Sequence, residues 1–358
     1  MAVSRLKLSH FRSHKLSDLE FDDRPVAIYG ANGAGKTNLI EAVSLLSPGR
    51  GLRRAANNDL SRMPELIGWK VSVALLSPAG SHQIETFSEG SGRLVRIDGK
   101  PTPQNALGQI ARVLWLTPAM DRLWMEAASE RRRFLDRITL SLIPDHGDVA
   151  IGYEKALRER GRLLRDNVRD RGWYEAIEAQ MARCGARLTA NRLAALARLD
   201  TIPAADAFPA AELALESEAP SEEADLVAAF REGRARDLAA GRTLTGPHRD
   251  DLGATYAEKG VAAKLCSTGE QKALLISLIL ANARAVQVQF GAPPLLLLDE
   301  VAAHFDADRR AALYHALLDF GAQAWLTGTG RELFSELDKH AQFLEVTETN
   351  GSSSITAA

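Results

Sequence analysis

The chain contains Gly30-Ala31-Asn32-Gly33-Ala34-Gly35-Lys36-Thr37, a complete G-x-x-x-x-G-K-[ST] phosphate loop. Residues 26–29 predict a short buried strand before the loop, and residues 38–43 predict the first turns of a helix after it. Glycines let several backbone N–H groups converge on one anion, and the N-terminus of the helix favours negative charge. Lys36 is predicted to reach the β- and γ-phosphates of ATP, and the Thr37 hydroxyl to join a Mg²⁺ shell. The alternative is a glycine-rich turn with an incidental lysine.

A second stretch, Leu295-Leu296-Leu297-Leu298-Asp299-Glu300, predicts a buried parallel strand that ends in two carboxylates. Asp299 is predicted to hold Mg²⁺ through a water molecule. Glu300 is predicted to orient or deprotonate the water that attacks the γ-phosphate. The simpler reading is a strand end followed by an acidic helix cap, but the upstream phosphate loop favours the catalytic one.

A third stretch, Ser267-Thr268-Gly269-Glu270-Gln271-Lys272, precedes an apolar helix predicted at residues 273–280. A serine and a glycine at a helix N-terminus can bind phosphate through the hydroxyl, backbone N–H groups and the helix dipole. Because the chain already has one complete phosphate site, we expect Ser267 and Gly269 to serve the γ-phosphate bound by a second copy. The alternative is an ordinary Ser/Thr-capped helix.

Composition sets outer limits on the function. The chain has 358 residues and a net charge of −2, so it has room for two domains or lobes, and a nucleic-acid surface would be a local patch. Two cysteines without a C-x-x-C motif exclude a disulfide framework and argue against a zinc hook. The first residues contain no apolar signal core, and we expect no membrane span, hence a soluble cytosolic protein.

The pattern along the chain predicts an α/β domain that is interrupted by a helical lobe. Short strands and turns fill residues 1–120 and return in residues 241–358, which we assign to one ATPase lobe. Residues 121–240 form the second lobe; they show helical periodicity up to about residue 199, and residues 201–225 predict a loop or weak helix. No long heptad array is present, so a long coiled coil is not expected.

Several further motifs resemble those of ATP-binding-cassette ATPases, SMC-like heads and, most specifically, the RecF family. The motifs are Leu6-Lys7-Leu8-Ser9-His10-Phe11-Arg12-Ser13-His14, Pro48-Gly49-Arg50-Gly51-Leu52-Arg53, Arg131-Arg132-Arg133-Phe134-Leu135-Asp136 and Thr245-Gly246-Pro247-His248-Arg249-Asp250-Asp251. The resemblance covers Leu6 to about Thr329, nearly the whole chain.

The resemblance implies an SMC-head-like ATPase lobe, a mostly helical second lobe and no long coiled coil. It also implies ATP-driven head-to-tail dimerisation on duplex DNA, gaps or duplex–single-strand junctions, with weak, DNA-stimulated ATP hydrolysis releasing the dimer. Arg12 matches a nucleotide-contacting arginine of the family, and Asp306 matches a loop that acts across the dimer. The implied partners are RecR and RecO, which promote RecA loading in gap repair and SOS induction.

Two features depart from related ATPases. In place of a switch histidine after the catalytic strand, the chain offers Thr327 and Thr329, either of which could sense the γ-phosphate through its hydroxyl. No Q-loop glutamine follows Leu116. For Arg249 and Asp250 we expect a turn with an internal Arg–Asp contact, and His248 is open to a structural role.

DNA contacts are expected from two groups of arginines: Arg131, Arg132 and Arg133, and then Arg158, Arg162 and Arg165 within a basic stretch that also contains Arg160. Because acidic residues are interleaved in the second group, the alternative there is a solvated helix face with i,i+4 pairs. Aromatic residues make up 6% of the chain and do not alternate with these arginines, so base stacking on single strands is not expected.

Two other functions are alternatives to that of an ATP-gated DNA repair factor. The ATPase subunit of a membrane transporter would have a Q-loop, a switch histidine and a shorter interval than the 230 positions between Thr37 and Ser267. A P-loop kinase acting on a small molecule would need no Ser267 motif and would be a monomer.

Overall fold

The computed structural model describes residues 1–90, 92–203, 207–301 and 305–358. The strands are β1 (Ala2–Phe11), β2 (His14–Glu20), β3 (Val26–Tyr29), β4 (Trp69–Ser77), β5 (Gly80–Ser88), β6 (Leu94–Ile97), β7 (Lys100–Pro101), β8 (Val113–Leu116), β9 (Ala211–Glu216), β10 (Asp251–Tyr256), β11 (Val261–Ala262), β12 (Leu295–Leu298), β13 (Ala324–Gly328), β14 (Gln342–Thr349) and β15 (Ser352–Ala357). The helices are α1 (Lys36–Ser44), α2 (Leu107–Ile110), α3 (Ala128–Leu142), α4 (His146–Arg165), α5 (Arg171–Asp200), α6 (Glu223–Ala240), α7 (Thr268–Phe290) and α8 (Ala307–Phe320).

The chain divides into two compact units. The first unit comprises Met1–Asp121, Leu275–Ala358 and a short segment that ends at Phe208. The second unit comprises the remaining residues between Arg122 and Leu274. From the sequence we assigned residues 241–274 to the ATPase lobe, whereas they lie in the second unit. The reason is pairing: β10 is antiparallel to β9, so the chain stays in the second unit beyond residue 240.

The first unit contains two six-stranded sheets. One is antiparallel in the order β2-β1-β4-β5-β6-β7, and its strand β1 alternates buried Leu6 and Leu8 with outward Arg5 and Lys7. The other has the order β15-β14-β3-β13-β12-β8, with parallel pairing from β14 to β8. All four leucines of β12 are buried, as expected for a strand covered on both faces.

Parallel pairing determines where the site lies. Strands β3, β13 and β12 are neighbours, so their carboxyl ends meet at one edge of the sheet. Those ends lead into the phosphate loop, to Thr327 and to the Asp299–Glu300 pair respectively. One hydrophobic core joins residues of both sheets with residues of α1, which fixes this edge.

The second unit contains α3 to α6 and the antiparallel sheet β11-β10-β9. Strand β9 corrects our expectation of a loop or weak helix in residues 201–225. Its pairing with β10 is a long-range contact that overrides weak local preference. A separate core centred on Tyr153, Met181 and Phe230 packs α4, α5 and α6 together.

Contrary to our expectation from the sequence, one helix, α7, has the length and composition to cross a membrane. Of its most apolar stretch, 67% is buried inside the protein. A helix buried to this extent packs in the protein core, because its apolar side chains already have protein partners.

Candidate active site

The phosphate loop joins β3 to α1 and contains glycines with backbone φ angles that other residues rarely adopt. Gly30 and Gly35 have φ of 151° and 105°. A Cβ atom on Gly30 would lie 2.1 Å from the carbonyl oxygen of Val346, so a side chain is excluded there. A Cβ atom on Gly33 would meet no described neighbour within 4 Å, so the crest of the loop is open. The loop therefore has the curved backbone and free space that a phosphate group needs.

Lys36 is held inside its own loop. Its ammonium Nζ donates to the carbonyl oxygens of Gly30, at 2.7 Å, and Ala31, at 2.9 Å. Burial lowers the pKa of Lys36, and the nearby Glu300 and Asp299 carboxylates oppose that effect. A phosphate bound in the loop would offer this ammonium a charged acceptor in place of the two carbonyls. Lys36 is therefore positioned to exchange its hydrogen bonds to the loop carbonyls for hydrogen bonds to a phosphate.

Asp299 joins the phosphate loop to the end of β12. The Thr37 hydroxyl Oγ1 donates to Asp299 Oδ1 at 3.0 Å. A hydroxyl and a carboxylate oxygen are ligands that suit Mg²⁺, which usually keeps phosphate oxygens and water as its other ligands. Within the described ranges no group of three or more His, Cys, Asp or Glu side chains could hold a metal ion alone. The donors present therefore fit a Mg²⁺ that arrives with its nucleotide.

Glu300 has an unusual backbone, with φ of 52°. Its N–H donates to Thr327 Oγ1 at 2.9 Å, and the same hydroxyl donates to Asp299 Oδ1 at 2.7 Å. Thr327 is buried at the end of β13. A left-handed conformation in a non-glycine residue is held only where its surroundings impose it, and such residues cluster at active sites. One threonine thus fixes both carboxylate-bearing residues, while Thr329 is exposed.

Arg12, expected to contact nucleotide, is bound to helix α1. Its Nε and Nη2 atoms donate to the two carboxylate oxygens of Glu41 at 2.8 and 2.7 Å, and Nη1 donates to the Asp59 carbonyl at 2.8 Å. Glu41 is completely buried and also accepts from Arg53 at 3.3 Å. Sequence reasoning missed Glu41; the available signal was one carboxylate inside the apolar run of the phosphate-loop helix.

Of the three residues expected to act across a dimer, Asp306 and Ser267 are exposed helix caps. Asp306 caps α8 by accepting from the Arg309 N–H at 2.8 Å. Ser267 precedes α7, and its N–H and hydroxyl both donate to Glu270 Oε2 at 2.8 Å. Glu270 also pairs with Lys259, and these contacts lower the pKa of Glu270 to about 2. Gly269 is exposed beside them. The contacts are those of a capping box, and the exposed surface leaves room for a ligand.

Comparison with known proteins places the chain in a family. It matches the family described as SMC_N, the RecF/RecN/SMC N terminal domain, over residues 2–353. It is 47% identical to the DNA replication and repair protein RecF of Brucella suis biovar 1 (strain 1330), covering 97% of this chain and 94% of that protein. Identity to the RecF of Rhizobium rhizogenes (strain K84 / ATCC BAA-868) is 48%, covering 96% of both. The chain belongs to the RecF family.

Solved structures show the same fold. A structure described as the recombination mediator protein RecF-ATPrS in the RecFOR pathway superposes with a TM-score of 0.86 at 22% identity, covering 99% of this chain and 98% of that one. An Smc head domain from Pyrococcus furiosus gives 0.57 at 17% identity, covering 99% of this chain and 96% of that one. The longest helix in the described part of the chain is α5, with 30 residues. The expected SMC-head-like α/β fold without a long coiled coil is confirmed.

The two motifs most specific to the RecF family bind each other in the second unit. Arg131 pairs with Asp251 through two contacts of 2.7 and 2.6 Å, and Arg132 donates to the Asp250 carbonyl at 2.6 Å. Arg133 pairs with Glu130, one turn away on the exposed face of α3. Two of the three arginines in the first group expected to contact DNA therefore hold the 245–251 motif to α3.

Arg192 links the same two motifs from α5. It is buried and binds Asp136 at 2.8 Å and Asp250 at 3.0 Å. Our expected Arg249–Asp250 contact is therefore wrong: the arginine that binds the Asp250 carboxylate is Arg192, and Arg249 is exposed. A partner 58 positions away could not be read from local sequence.

His248 has the structural role that we left open. Its Nδ1 is 2.8 Å from the Tyr153 hydroxyl, and its Nε2 is 3.1 Å from the Thr243 carbonyl. Because a carbonyl only accepts, we assign the proton to Nε2 and let Nδ1 accept from Tyr153. Burial lowers the pKa of His248 to about 4. The histidine is a neutral internal link.

The basic stretch of α4 divides into two kinds of arginine. Arg158 is exposed and lies 3.4 Å from Glu154, as the solvated-face alternative predicts. Arg162 and Arg165 are exposed in the last turn of α4. Arg160, in contrast, is completely buried, and its guanidinium binds Glu178 and Asp237. Sequence reasoning missed this role because both carboxylates come from other helices.

Proposed function

We propose that this chain is an ATP-dependent DNA-binding protein of recombinational gap repair, replication-fork maintenance and SOS induction, with weak ATPase activity that DNA stimulates. The observation that carries the proposal is the hydrogen-bonded group at the sheet edge. There, Thr37, Asp299, Thr327 and Glu300 are linked by three hydrogen bonds of 2.7 to 3.0 Å. These are the residue types that ATP hydrolysis requires, and they are brought together by three neighbouring parallel strands.

The site residues divide the chemistry among them. The loop of residues 30–37 holds the phosphates of ATP with its N–H groups, and Lys36 exchanges the Gly30 and Ala31 carbonyls for phosphate oxygens. Mg²⁺, when bound, neutralises phosphate charge. Thr37 would give Mg²⁺ its hydroxyl oxygen, and Asp299 would hold the ion through a water molecule. Glu300 orients the attacking water and accepts its proton. Thr327 keeps the two carboxylate-bearing residues in position.

Dimerisation completes the site in this proposal. Ser267 and Gly269 of one subunit close on the γ-phosphate that Lys36 and Thr37 of the other subunit hold, in a head-to-tail homodimer. Their exposure supports this role, because a γ-phosphate could take the Ser267 hydroxyl from Glu270 without unfolding the helix. Asp306 acts across the same interface. Arg12 contacts nucleotide after releasing Glu41, which Arg53 continues to neutralise.

The names of relatives support the cellular role. Proteins called DNA replication and repair protein RecF are 45% to 48% identical over almost the whole chain. We propose that ATP drives dimerisation on duplex DNA, at gaps or at duplex–single-strand junctions, and that slow hydrolysis releases the dimer. RecO and RecR are the proposed partners in RecA loading, and the cytoplasm is the proposed location.

The test is sedimentation of a Glu300→Gln variant with ATP, Mg²⁺ and DNA. The amide keeps the shape of Glu300 but cannot accept a proton, so hydrolysis falls by about a hundredfold or more. The ATP-bound dimer then accumulates and its affinity for DNA rises. Asp319→Asn, an exposed acidic residue of α8, is the matched control and leaves the wild-type monomer–dimer equilibrium unchanged. A Glu300→Gln protein that stays monomeric with ATP refutes the proposal.

A further inference from the structure

The end of the second unit where α4 meets α5 carries an exposed tryptophan among arginines. The hairpin-end patch consists of Arg162, Arg165, Arg169, Arg171, Trp173 and Arg242, all of them at least partly exposed. Arg162 and Arg165 belong to the last turn of α4, Arg169 lies in the connection, and Arg171 and Trp173 belong to the first turn of α5. Arg242 joins them because a Cβ atom on Gly241, which ends α6, would lie 4.0 Å from Arg165 Cγ.

Trp173 is distinguished from every other tryptophan of the chain. The chain has five, all within the described ranges, and Trp173 is 63% exposed. The other four, Trp69, Trp115, Trp124 and Trp325, are 8% exposed or less. Exposure of a large aromatic ring to water costs free energy that burial would recover. Packing in the hydrophobic core therefore does not explain why a tryptophan lies at this position. Contrary to our expectation from the sequence, an aromatic ring does lie among arginines here.

A buried ion-pair network connects the helices that carry the patch. Arg160 donates to Asp237 at 2.6 Å and to Thr243 at 2.8 Å, which joins α4 to α6 and to the chain just after it. Arg160 and Arg234 both bind the buried Glu178 of α5. Arg160 lies only two residues before Arg162. The helices that carry the patch are therefore fixed relative to one another, which keeps the backbone positions of the arginines and of Trp173 close together.

Helix stability accounts for only some of these charges. Arg162, Arg165 and Arg242 lie at C-terminal helix ends, where the helix dipole favours positive charge. Arg169 and Arg171 lie at the start of α5, where the dipole disfavours it. Asp170 caps that helix by accepting from the Gly172 and Trp173 N–H groups. The two arginines next to the cap thus point to an external anion rather than to helix stability.

We infer that the hairpin-end patch binds nucleic acid with unpaired bases, the arginines contacting phosphates and the Trp173 ring stacking on a base. Five arginines supply the charge complementarity with a polyanion, and an indole face stacks on any base. A membrane surface fits less well, because Asp166, Asp170 and Glu175 are interspersed and the patch has a single aromatic residue rather than an apolar face. The inference deepens the proposed function by assigning a site for single-stranded segments.

The test uses the fluorescence of the full chain without nucleotide. Trp173 dominates the solvent-accessible emission, since the other four tryptophans are buried. Oligothymidylate is expected to quench that emission, whereas the matching oligo(dA)·oligo(dT) duplex has little effect. Trp173→Ala is expected to weaken oligothymidylate binding about tenfold, and Trp173→Phe to keep most of the affinity, because one base stacks on the ring.

A pair of double variants tests the arginines. Arg169→Ala with Arg171→Ala is expected to reduce the slope of log affinity against log salt by about 1.4, since each phosphate contact on a single strand contributes about 0.7. Arg183→Ala with Arg187→Ala is the matched control: the same net charge is removed from exposed positions further along α5, and the slope is expected to stay unchanged.

Three results would overturn the inference. They are wild-type oligothymidylate affinity in Trp173→Ala, an equal loss of slope in the control pair, and a Trp173 emission shift caused by phosphatidylserine vesicles but not by oligothymidylate. Sedimentation of the wild-type protein with ATP measures dimerisation independently of the patch. A failure of the inference about the patch is therefore distinguishable from a failure of the proposed function.

Discussion

The Thr37 hydroxyl donates to the Asp299 carboxylate over 3.0 Å, although the two residues are 262 positions apart in the chain. The contact exists because β3 and β12 flank β13 in one parallel sheet and end at the same edge. The phosphate loop and the acidic pair are thus parts of a single site.

Thr327→Val tests how this site is held. Valine has the shape of threonine but cannot bond to Asp299 or to the Glu300 N–H, and Thr327 is 1% exposed, so packing is kept. We expect the kcat of ATP hydrolysis to fall by about tenfold or more, with ATP affinity less affected, as for loss of a group that orients a metal ligand.

Thr329→Val is the control, because Thr329 is exposed two residues further along. Steady-state kinetics with equilibrium nucleotide binding separates the two effects. Equal activity of both variants would show that the Thr327 hydroxyl has no part in catalysis.

Arg192→Met tests the network that joins the two family motifs. In the described part of the chain, the buried Asp250 would lose its guanidinium and keep only the Ser217 hydroxyl as a side-chain donor, whereas Asp136, which is 31% exposed, would keep His146. We expect the free energy of unfolding to fall by about 3–5 kcal/mol, the usual loss when one partner of a buried ion pair is removed.

Urea denaturation measures this difference. Arg187→Met, a more accessible position on the same helix, is expected to stay within about 0.5 kcal/mol of wild type. An equal loss of unfolding free energy in both variants would show that the buried ion pairs of Arg192 do not account for the loss.

His248 predicts a pH dependence of stability. Its pKa is lowered from 6.5 to about 4 by burial, so between those values the unfolded chain binds a proton that the folded chain does not. Stability from this group is therefore complete above pH 6.5 and falls as the pH drops to about 4, by roughly 2–3 kcal/mol.

A His248→Gln variant is expected to show a flatter pH dependence of the unfolding free energy. Some dependence remains, because burial also lowers the pKa of His14, in the first unit, to about 4. His315→Gln, at an exposed position of α8, is the control. A slope in His248→Gln as steep as in wild type would contradict the assignment.

Local sequence predicted the elements around the site well. The strand expected at residues 26–29 is β3, and the leucine run at 295–298 is β12, because an apolar run of four residues that follows a proline is too short for a buried helix. The phosphate-loop chemistry followed from residue types at fixed spacing. Thr327 could be named only as one of two candidates, and its contacts with Asp299 and Glu300 needed the sheet order.

Long-range pairing limited the remaining predictions. The sequence pattern favours an outward position for Arg160 within a basic stretch, yet Arg160 is buried, because Glu178 and Asp237 reach it from other helices. Residues 201–225 predict a loop or weak helix, whereas residues 211–216 within them form β9, since β10 supplies the pairing. In both cases the deciding partner lies elsewhere in the chain, where periodicity carries no information about it.

Mixing two inactive variants tests the shared site most directly. Lys36→Ala removes the phosphate-binding ammonium, and Ser267→Arg blocks the surface proposed to close on the γ-phosphate of the other subunit. If each nucleotide lies between Lys36 of one protomer and Ser267 of its partner, a mixed dimer has one intact site. An equimolar mixture should then recover about one quarter of the wild-type DNA-stimulated ATPase rate, given random pairing in a two-fold dimer. A mixture as inactive as the separate variants would contradict the account.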